Sequence, residues 1–266
     1  MIPTTTLDAL QQCWTSLSAL GAVLSEEEWH RPTDLPGWTV KDNLSHLSSI
    51  ERVLQGLPGT QHRAEHRDYV RNPIGENNEN EVDARRSWTG AQVLQEWNEI
   101  VAQRIATFAS AGEDYFAQPA MTPVGPGTLA DFLSVRVLDC WLHEQDMRRA
   151  VGREGNLGGS AAEHTIDRLV RTIPIVVGKR AETPEGAAVV FDIEGPVQRH
   201  LVYEVRLGRA EKVDAPTNPP VASIALDTEG FVVLAAGRRT AAQVSARVSG
   251  DKELAGRILG QFNMMI

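Results

Sequence analysis

The sequence predicts two domains: an all-α four-helix bundle over residues 1–155, then a smaller α+β domain over 156–266. Three observations predict this. Up to Gly152, apolar residues recur at three- and four-residue steps, the stripe of helices that bury one face. Beyond it, short β-branched and aromatic runs alternate with Gly, Pro and Asp. The chain's 266 residues, 42% of them hydrophobic, exceed what a single core ordinarily serves.

The first helix follows from Leu7, Leu10, Trp14, Leu17, Leu20 and Leu24, and is expected over about 4–26. A Pro36-Gly37 turn and Thr39 as N-cap open the second, which carries Val40, Leu44, Leu47, Ile50 and Leu54 and spans about 40–55. Residues 58–80 are polar, and "RNPIGENNENE" reads as an exposed loop. Val82, Trp88, Val93, Leu94, Trp97, Val101 and Ile105 then mark a third helix over about 80–110. After the loop "AQPAMTPVGPG", Thr128 caps a fourth, with Leu129, Phe132, Leu133, Val135, Val137, Leu138, Trp141, Leu142 and Met147, ending near Gly152. Four helices so joined imply a bundle.

"GREGNLGG" reads as a linker, and residues 160–178 as a helix interrupted by Pro174. "AAVVFDIEG", "RHLVYEVRLG" and "VASIALD" have the look of antiparallel strands. "TEGFVVLAAG", "TAAQVSA" and "DKELAGRILGQF" read as helical, with "ARVSG" as a short strand between the last two. No internal repeat is evident.

Charge and composition narrow the function. A formal net charge of −9 supplies no basic patch for nucleic acid or an anionic membrane surface, so neither partner is expected. Two cysteines, Cys13 and Cys140, are too few for a disulfide framework. The N-terminus lacks the basic and apolar regions of a signal peptide, and no run approaches 18 apolar residues. A cytoplasmic protein, monomer or homodimer, is expected.

The chemistry gathers in "DCWLHEQD", residues 139–146. Asp139 and His143 stand four apart on the fourth helix, about 40° apart in azimuth and roughly 6 Å along the axis, so they can share a ligand. Inward-facing carboxylates and imidazoles build metal sites in bundle cores, and three such ligands suit zinc or a similar divalent ion with an open position. His46, between Leu44 and Leu47 at the apolar border of the second helix, is the candidate third ligand. The alternatives are a solvated Asp–His hydrogen bond and a satisfied core histidine. Arg136, Asp146 and Asp42, three or four residues from a ligand candidate, would orient the ligands or belong to ordinary ion pairs and helix turns. His62 and His66 repeat the four-residue spacing in a charged segment, where a solvated face is the better reading. Cys140 points about 100° from Asp139 on the helix and reads as a packing residue.

Two segments carry a resemblance. "DLPGWTVKDNLSHL" and "RVLDCWLHEQDMRRAVG" resemble the signature segments of the mycothiol-dependent maleylpyruvate isomerase family, a branch of the DinB-like metal-binding helical bundles. There the first reads PGWTV-D-L-x-H and the second R-x-x-E-x-x-x-H-x-x-D, so the resemblance implies His46, Asp139 and His143 as the metal ligands. Asp139 departs from the family's Glu by one methylene, which brings the metal nearer the fourth helix or leaves that ligand to bind through water. The family's second domain is sterol-carrier-protein-like, and "ALDTEGFVVLAAGRRTAAQVSARVSGDKELAGRIL" is similar to its closing portion.

The resemblance implies a metal-dependent enzyme that activates mycothiol, as cofactor or co-substrate, for isomerisation of, or S-transfer to, a small electrophile. A zinc-bound thiol loses its proton near neutral pH, so the protein need not supply the nucleophile. No Gly-x-Ser-x-Gly elbow, P-loop or dinucleotide fingerprint competes with this reading. Arg238, Arg239 and Arg247 are candidates for binding an anionic substrate or the thiol, the alternative being a solvated surface. Two other functions fit the same features: metal-dependent hydrolysis by a bound water, and carriage of apolar small molecules without catalysis.

Overall fold

The structure, a computed structural model, describes residues 1–263. The chain divides into two compact units, Met1–Asn156 and the remainder from Leu157.

In the first unit, α1 (Thr4–Gly21) buries Leu10, Cys13, Trp14, Leu17 and Leu20. It stops short of the expected position 26. Ser25 forms a capping box with Glu28 and starts a separate short helix, α2 (Glu26–Trp29), so Leu24 lies in the turn between them. The second long helix, α3 (Val40–Leu54), opens on Thr39, whose side chain accepts from the Asp42 backbone N–H while Asp42 Oδ2 accepts from the Thr39 N–H at 2.9 Å. Its polar residues are sequestered as thoroughly as its leucines: Lys41, Asn43, Ser45, His46, Ser48 and Glu51 are all buried. Buried polar groups need partners, and those partners build the site described below.

Two expectations fail between residues 58 and 110. The segment read as an exposed loop contains α4 (Pro73–Asp83), capped by Asn72 with Pro73 in its first turn. Its polarity serves a buried charge network: Glu79 pairs with Arg86 at 2.8 Å and Glu81 with Arg85 at 3.0 Å. The single helix expected over 80–110 is broken after α4, because Thr89 and Gln92 form a fresh capping box that begins α5 (Gly90–Ser110) and leaves Trp88 in the turn. A short α6 (Glu113–Ala117) follows. The segment expected as a loop before the last helix forms a small hairpin, β1 (Pro119–Thr122) with β2 (Gly125–Thr128). Then α7 (Leu129–Val151) runs from the Thr128/Asp131 capping box to Gly152, whose φ of 66° is the left-handed geometry that ends helices at glycine. α1 packs on α5 and α7, and α3 packs on the same two helices. The α3–α7 contact positions the site.

The second unit begins with α8 (Ser160–Val170), and Pro174 precedes a π-helical turn, Ile175–Arg180. Its sheet holds β3 (Ala188–Glu194), β4 (Arg199–Arg206), β5 (Arg209–Val213), β6 (Ala222–Asp227) and β7 (Arg247–Gly250), in the order β5-β4-β3-β6-β7. The strands were expected to be antiparallel, yet β3 and β6 pair in parallel. Alternation fixes which face a side chain takes and carries no information on a neighbour's direction. β5, charged along most of its length, is an edge strand with no apolar signature. α9 (Thr228–Ala235) and α10 (Lys252–Gly260) form as expected, but "TAAQVSA" yields only a 3-10 turn, Ala241–Gln243, closed by Thr240 and Gln243. Phe191, Tyr203, Phe231 and Phe262 meet edge to face in this unit's core. Among the described residues no helix is long and apolar enough to cross a membrane.

Candidate metal centre

His46 is fixed by α3, whose start is set by the Thr39 cap, while Asp139 and His143 lie one turn apart on α7. The packing of α3 on α7 brings one potential ligand atom of each within 4.8 Å of the others. The His46 Nε2 lies 3.4 Å from Asp139 Oδ2, and His143 Nε2 lies 3.4 Å from Asp139 Oδ1. The imidazole centroids are 4.8 Å apart, edge to face. Donors about 2.0–2.2 Å from a tetrahedral zinc ion stand roughly 3.3–3.6 Å from one another, and the two histidine–carboxylate distances, one to each Asp139 oxygen, fall in that range. Both histidines are buried, while the Asp139 side chain keeps 24% exposure, so the group opens to solvent on the carboxylate side.

The electrostatics favour the ligating form of His46 and Asp139. Burial pushes the His46 pKa down, against the pull of Asp139, and favours the neutral ring that coordinates metals. Burial would push Asp139 up, but Arg136 and then His46 outweigh it and hold the carboxyl well below the usual carboxylate range. The other His46 nitrogen, Nδ1, is buried and has no hydrogen-bond partner among the described residues, an orphaned polar atom on one of the three residues.

Behind these three residues runs a chain of charges. Arg136 donates to Asp139 Oδ2 and, through Nε, to Glu51 Oε1 at 3.0 Å, and the other Glu51 oxygen accepts from Arg104 Nε at 3.1 Å. Glu51 and Arg104 are fully buried. Around the histidines, Asn43 Oδ1 lies 2.7 Å from His143 Nδ1, and Asp146 Oδ2 lies 3.5 Å from the same nitrogen. The Trp38 ring stands 5.2 Å from His46 and 5.8 Å from His143, with its Nε1 donating to Glu79 at 2.9 Å.

The structure thus brings together His46, Asp139 and His143, with Arg136 against Asp139 and Asp146 beside His143. Asp42 is engaged elsewhere, in the α3 cap and 3.8 Å from Arg86. His62 binds Asp83 at 2.6 Å and His66 is 83% exposed. Cys13 and Cys140 are buried, and burial pushes both thiols well above their ordinary pKa, so they stay protonated. In the second unit Arg247 pairs with Glu194 at 2.5 Å and is 73% exposed, while Arg238 and Arg239 follow α9, with Arg238 Nη1 donating to the Ala236 carbonyl.

Asn43, Glu51 and Trp38 escaped the sequence reading. Glu51 left a signal, since it continues the Val40, Leu44, Leu47 stripe with an acid at a core position. Asn43 shares a face with His46 three residues on.

A family model for the mycothiol maleylpyruvate isomerase N-terminal domain matches residues 10–148. No curated protein matches the chain. Among solved structures, the chain is similar to the mycothiol-dependent maleylpyruvate isomerase, with 17% identity, a TM-score of 0.53 and coverage of 92% of this chain and 93% of that one. It is also similar to a histidine-to-alanine mutant of that isomerase, with the same identity and coverage and a TM-score of 0.57. At this identity the likeness shows the fold, along nearly the whole length of both proteins.

Proposed function

From the premise that the chain belongs to the mycothiol maleylpyruvate isomerase family, we propose that it is a metal-dependent enzyme that uses mycothiol to isomerise a small electrophilic acid. In this reading the first unit is a DinB-like four-helix bundle, the second is sterol-carrier-protein-like, and the protein works in the cytoplasm. S-transfer to an electrophile is the neighbouring chemistry, since both need the same thiolate. The observation that carries the metal reading is the convergence of His46, Asp139 and His143 with a carboxylate that stays ionised.

His46, Asp139 and His143 would hold a divalent ion, zinc in the first instance, with one face left for the thiol. When bound, such an ion keeps a coordinated thiol in its thiolate form near neutral pH. The residues do the rest. Arg136 keeps Asp139 charged, burial keeps His46 neutral, and the half-buried Trp38 ring walls the two imidazoles from water. Neither cysteine can act as the nucleophile, being buried and protonated, which supports a thiol supplied from outside. Arg238, Arg239 and Arg247 are proposed as contacts for the substrate's anionic groups or for the thiol.

Elemental analysis of purified protein beside the His143→Ala variant tests the metal, and maleylpyruvate turnover with and without mycothiol tests the thiol. Expected are about one equivalent of divalent metal, lost in the variant, and turnover only when mycothiol is present. Metal-loaded protein that consumes the substrate without thiol would replace this reading with hydrolysis.

A further inference from the structure

The hydrogen bond between Asn43 and His143 can be read for direction. Asn43 is fully buried, and its amide is fixed from the other end: Nδ2 donates to the Thr39 carbonyl at 2.9 Å and lies 3.4 Å from Thr33 Oγ1. A carbonyl oxygen only accepts, so the amide nitrogen must face Thr39 and the amide oxygen must face His143. An amide oxygen also only accepts, so at 2.7 Å it requires a proton on His143 Nδ1. The neutral ring then carries its lone pair on Nε2, the nitrogen that faces Asp139 Oδ1 at 3.4 Å. Two lone-pair bearers at that distance in a buried site repel each other unless a cation lies between them. Asp146, at 3.5 Å from the same Nδ1, is the weaker partner, and its carboxylate is also taken by Arg149.

We propose that Asn43 is a positioning residue that holds His143 in its Nδ1–H tautomer and aims Nε2 at the metal position. Such an outer partner fixes the ring and raises its basicity. Because α3 carries both Asn43 and His46, the register of α3 on α7 sets the tautomer of one ligand and the position of another. The proposal rests on the metal reading of the site, and its test separates the two.

The first measurement uses the unaltered full chain without metal. Long-range 1H–15N correlation, with the His143 signals identified by their loss in His143→Ala, should show the ring proton on Nδ1. A His143 ring with no proton on Nδ1 overturns the proposal whatever any variant does. The second measurement is zinc affinity by competition titration in the wild type, Asn43→Ala and Asn43→Asp. Both variants lose the Nδ2 donation to Thr39, but only Asn43→Asp keeps an acceptor for His143. Asn43→Ala should bind zinc about 10–100-fold more weakly, and Asn43→Asp should return to wild-type affinity or better. Equal affinity in wild type and Asn43→Ala overturns the proposal and leaves the metal reading standing. A wild type that takes up no zinc ends the metal reading, and the tautomer measurement still judges Asn43. Should Asn43→Ala fail to fold, the wild-type spectrum decides.

Discussion

Glu51 carries two guanidinium groups where its side chain has no exposure to solvent, accepting from Arg104 and Arg136 on separate oxygens. Removing one partner of a buried ion pair leaves an uncompensated charge, which costs about 3–5 kcal/mol, whereas replacing the whole group with apolar residues can cost nothing. Glu51→Ala should therefore lower unfolding stability by about 3–5 kcal/mol in urea titration, since Arg104 loses its carboxylate and Arg136 keeps only Asp139. It should also disturb Asp139, because Arg136 loses the anchor that aims it. A loss below about 1 kcal/mol would mean that water reaches these arginines when Glu51 is gone. The cysteines make the opposite prediction. Both lie at 0% exposure with thiols held protonated, so iodoacetamide should modify neither in the folded protein and both after denaturation, as read by mass spectrometry. Modification of native Cys140 would remove the argument that the nucleophile comes from outside.

At the level of the element, the N-terminus of α3 is the hinge point of the site, because the Thr39 cap fixes where the helix begins and so where Asn43 and His46 fall against α7. Thr39→Ala should cost about 1 kcal/mol in thermal or chemical unfolding. Gly90, the first residue of α5, is a sharper case: a Cβ there would meet the Trp29 ring at 2.0 Å, so Gly90→Ala should destabilise the chain by roughly 1–3 kcal/mol. These two junctions also explain what could be read in advance. α3 and α7 announce themselves with a capping threonine, an acid three residues later and an apolar stripe, and α7 closes on Gly152, so their limits follow from local chemistry. α4 does not, because its buried acids Glu79 and Glu81 find their partners outside the helix, in Arg85, Arg86 and Trp38 among others. The parallel β3–β6 pair was hidden because side-chain alternation is the same for either strand direction. Within the site, His46, Asp139 and His143 could be named as candidates from residue type, spacing and family resemblance. Asn43 and Trp38 could not, and Glu51 left only an acid on an apolar stripe, since each gains its role only when α3 and α4 are set against their neighbours.

On the scale of the whole molecule, the three candidate ligands and every cap that places them lie within Met1–Asn156, so this unit should fold and bind metal without the rest of the chain. Where it is cut decides how well. α7 ends at Val151 and helix limits alone would permit a fragment of residues 1–152, but the chain beyond is bound back onto the helices. Asn156, in a left-handed conformation with φ 55°, donates from Nδ2 to Glu144 Oε2 at 2.8 Å and accepts from Gln12 at 2.9 Å. Its backbone carbonyl accepts from the Trp141 indole at 2.8 Å. Glu144 is fully buried, and burial pushes its pKa up against the hydrogen bonds of Ser16, Arg148 and Asn156, so the loss of any one of these leaves a carboxylate short of a donor. A fragment of residues 1–156 should melt cooperatively, take up about one equivalent of zinc, and gain about 4 kcal/mol of stability at a thousandfold excess of zinc over Kd. A fragment ending at 152 should lose about 1–3 kcal/mol relative to it, because a buried acceptor and the Trp141 donor lose their partners together. Equal melting of the two fragments would show that solvent satisfies Glu144 and Trp141 as well as Asn156 does, and that the unit closes at Gly152.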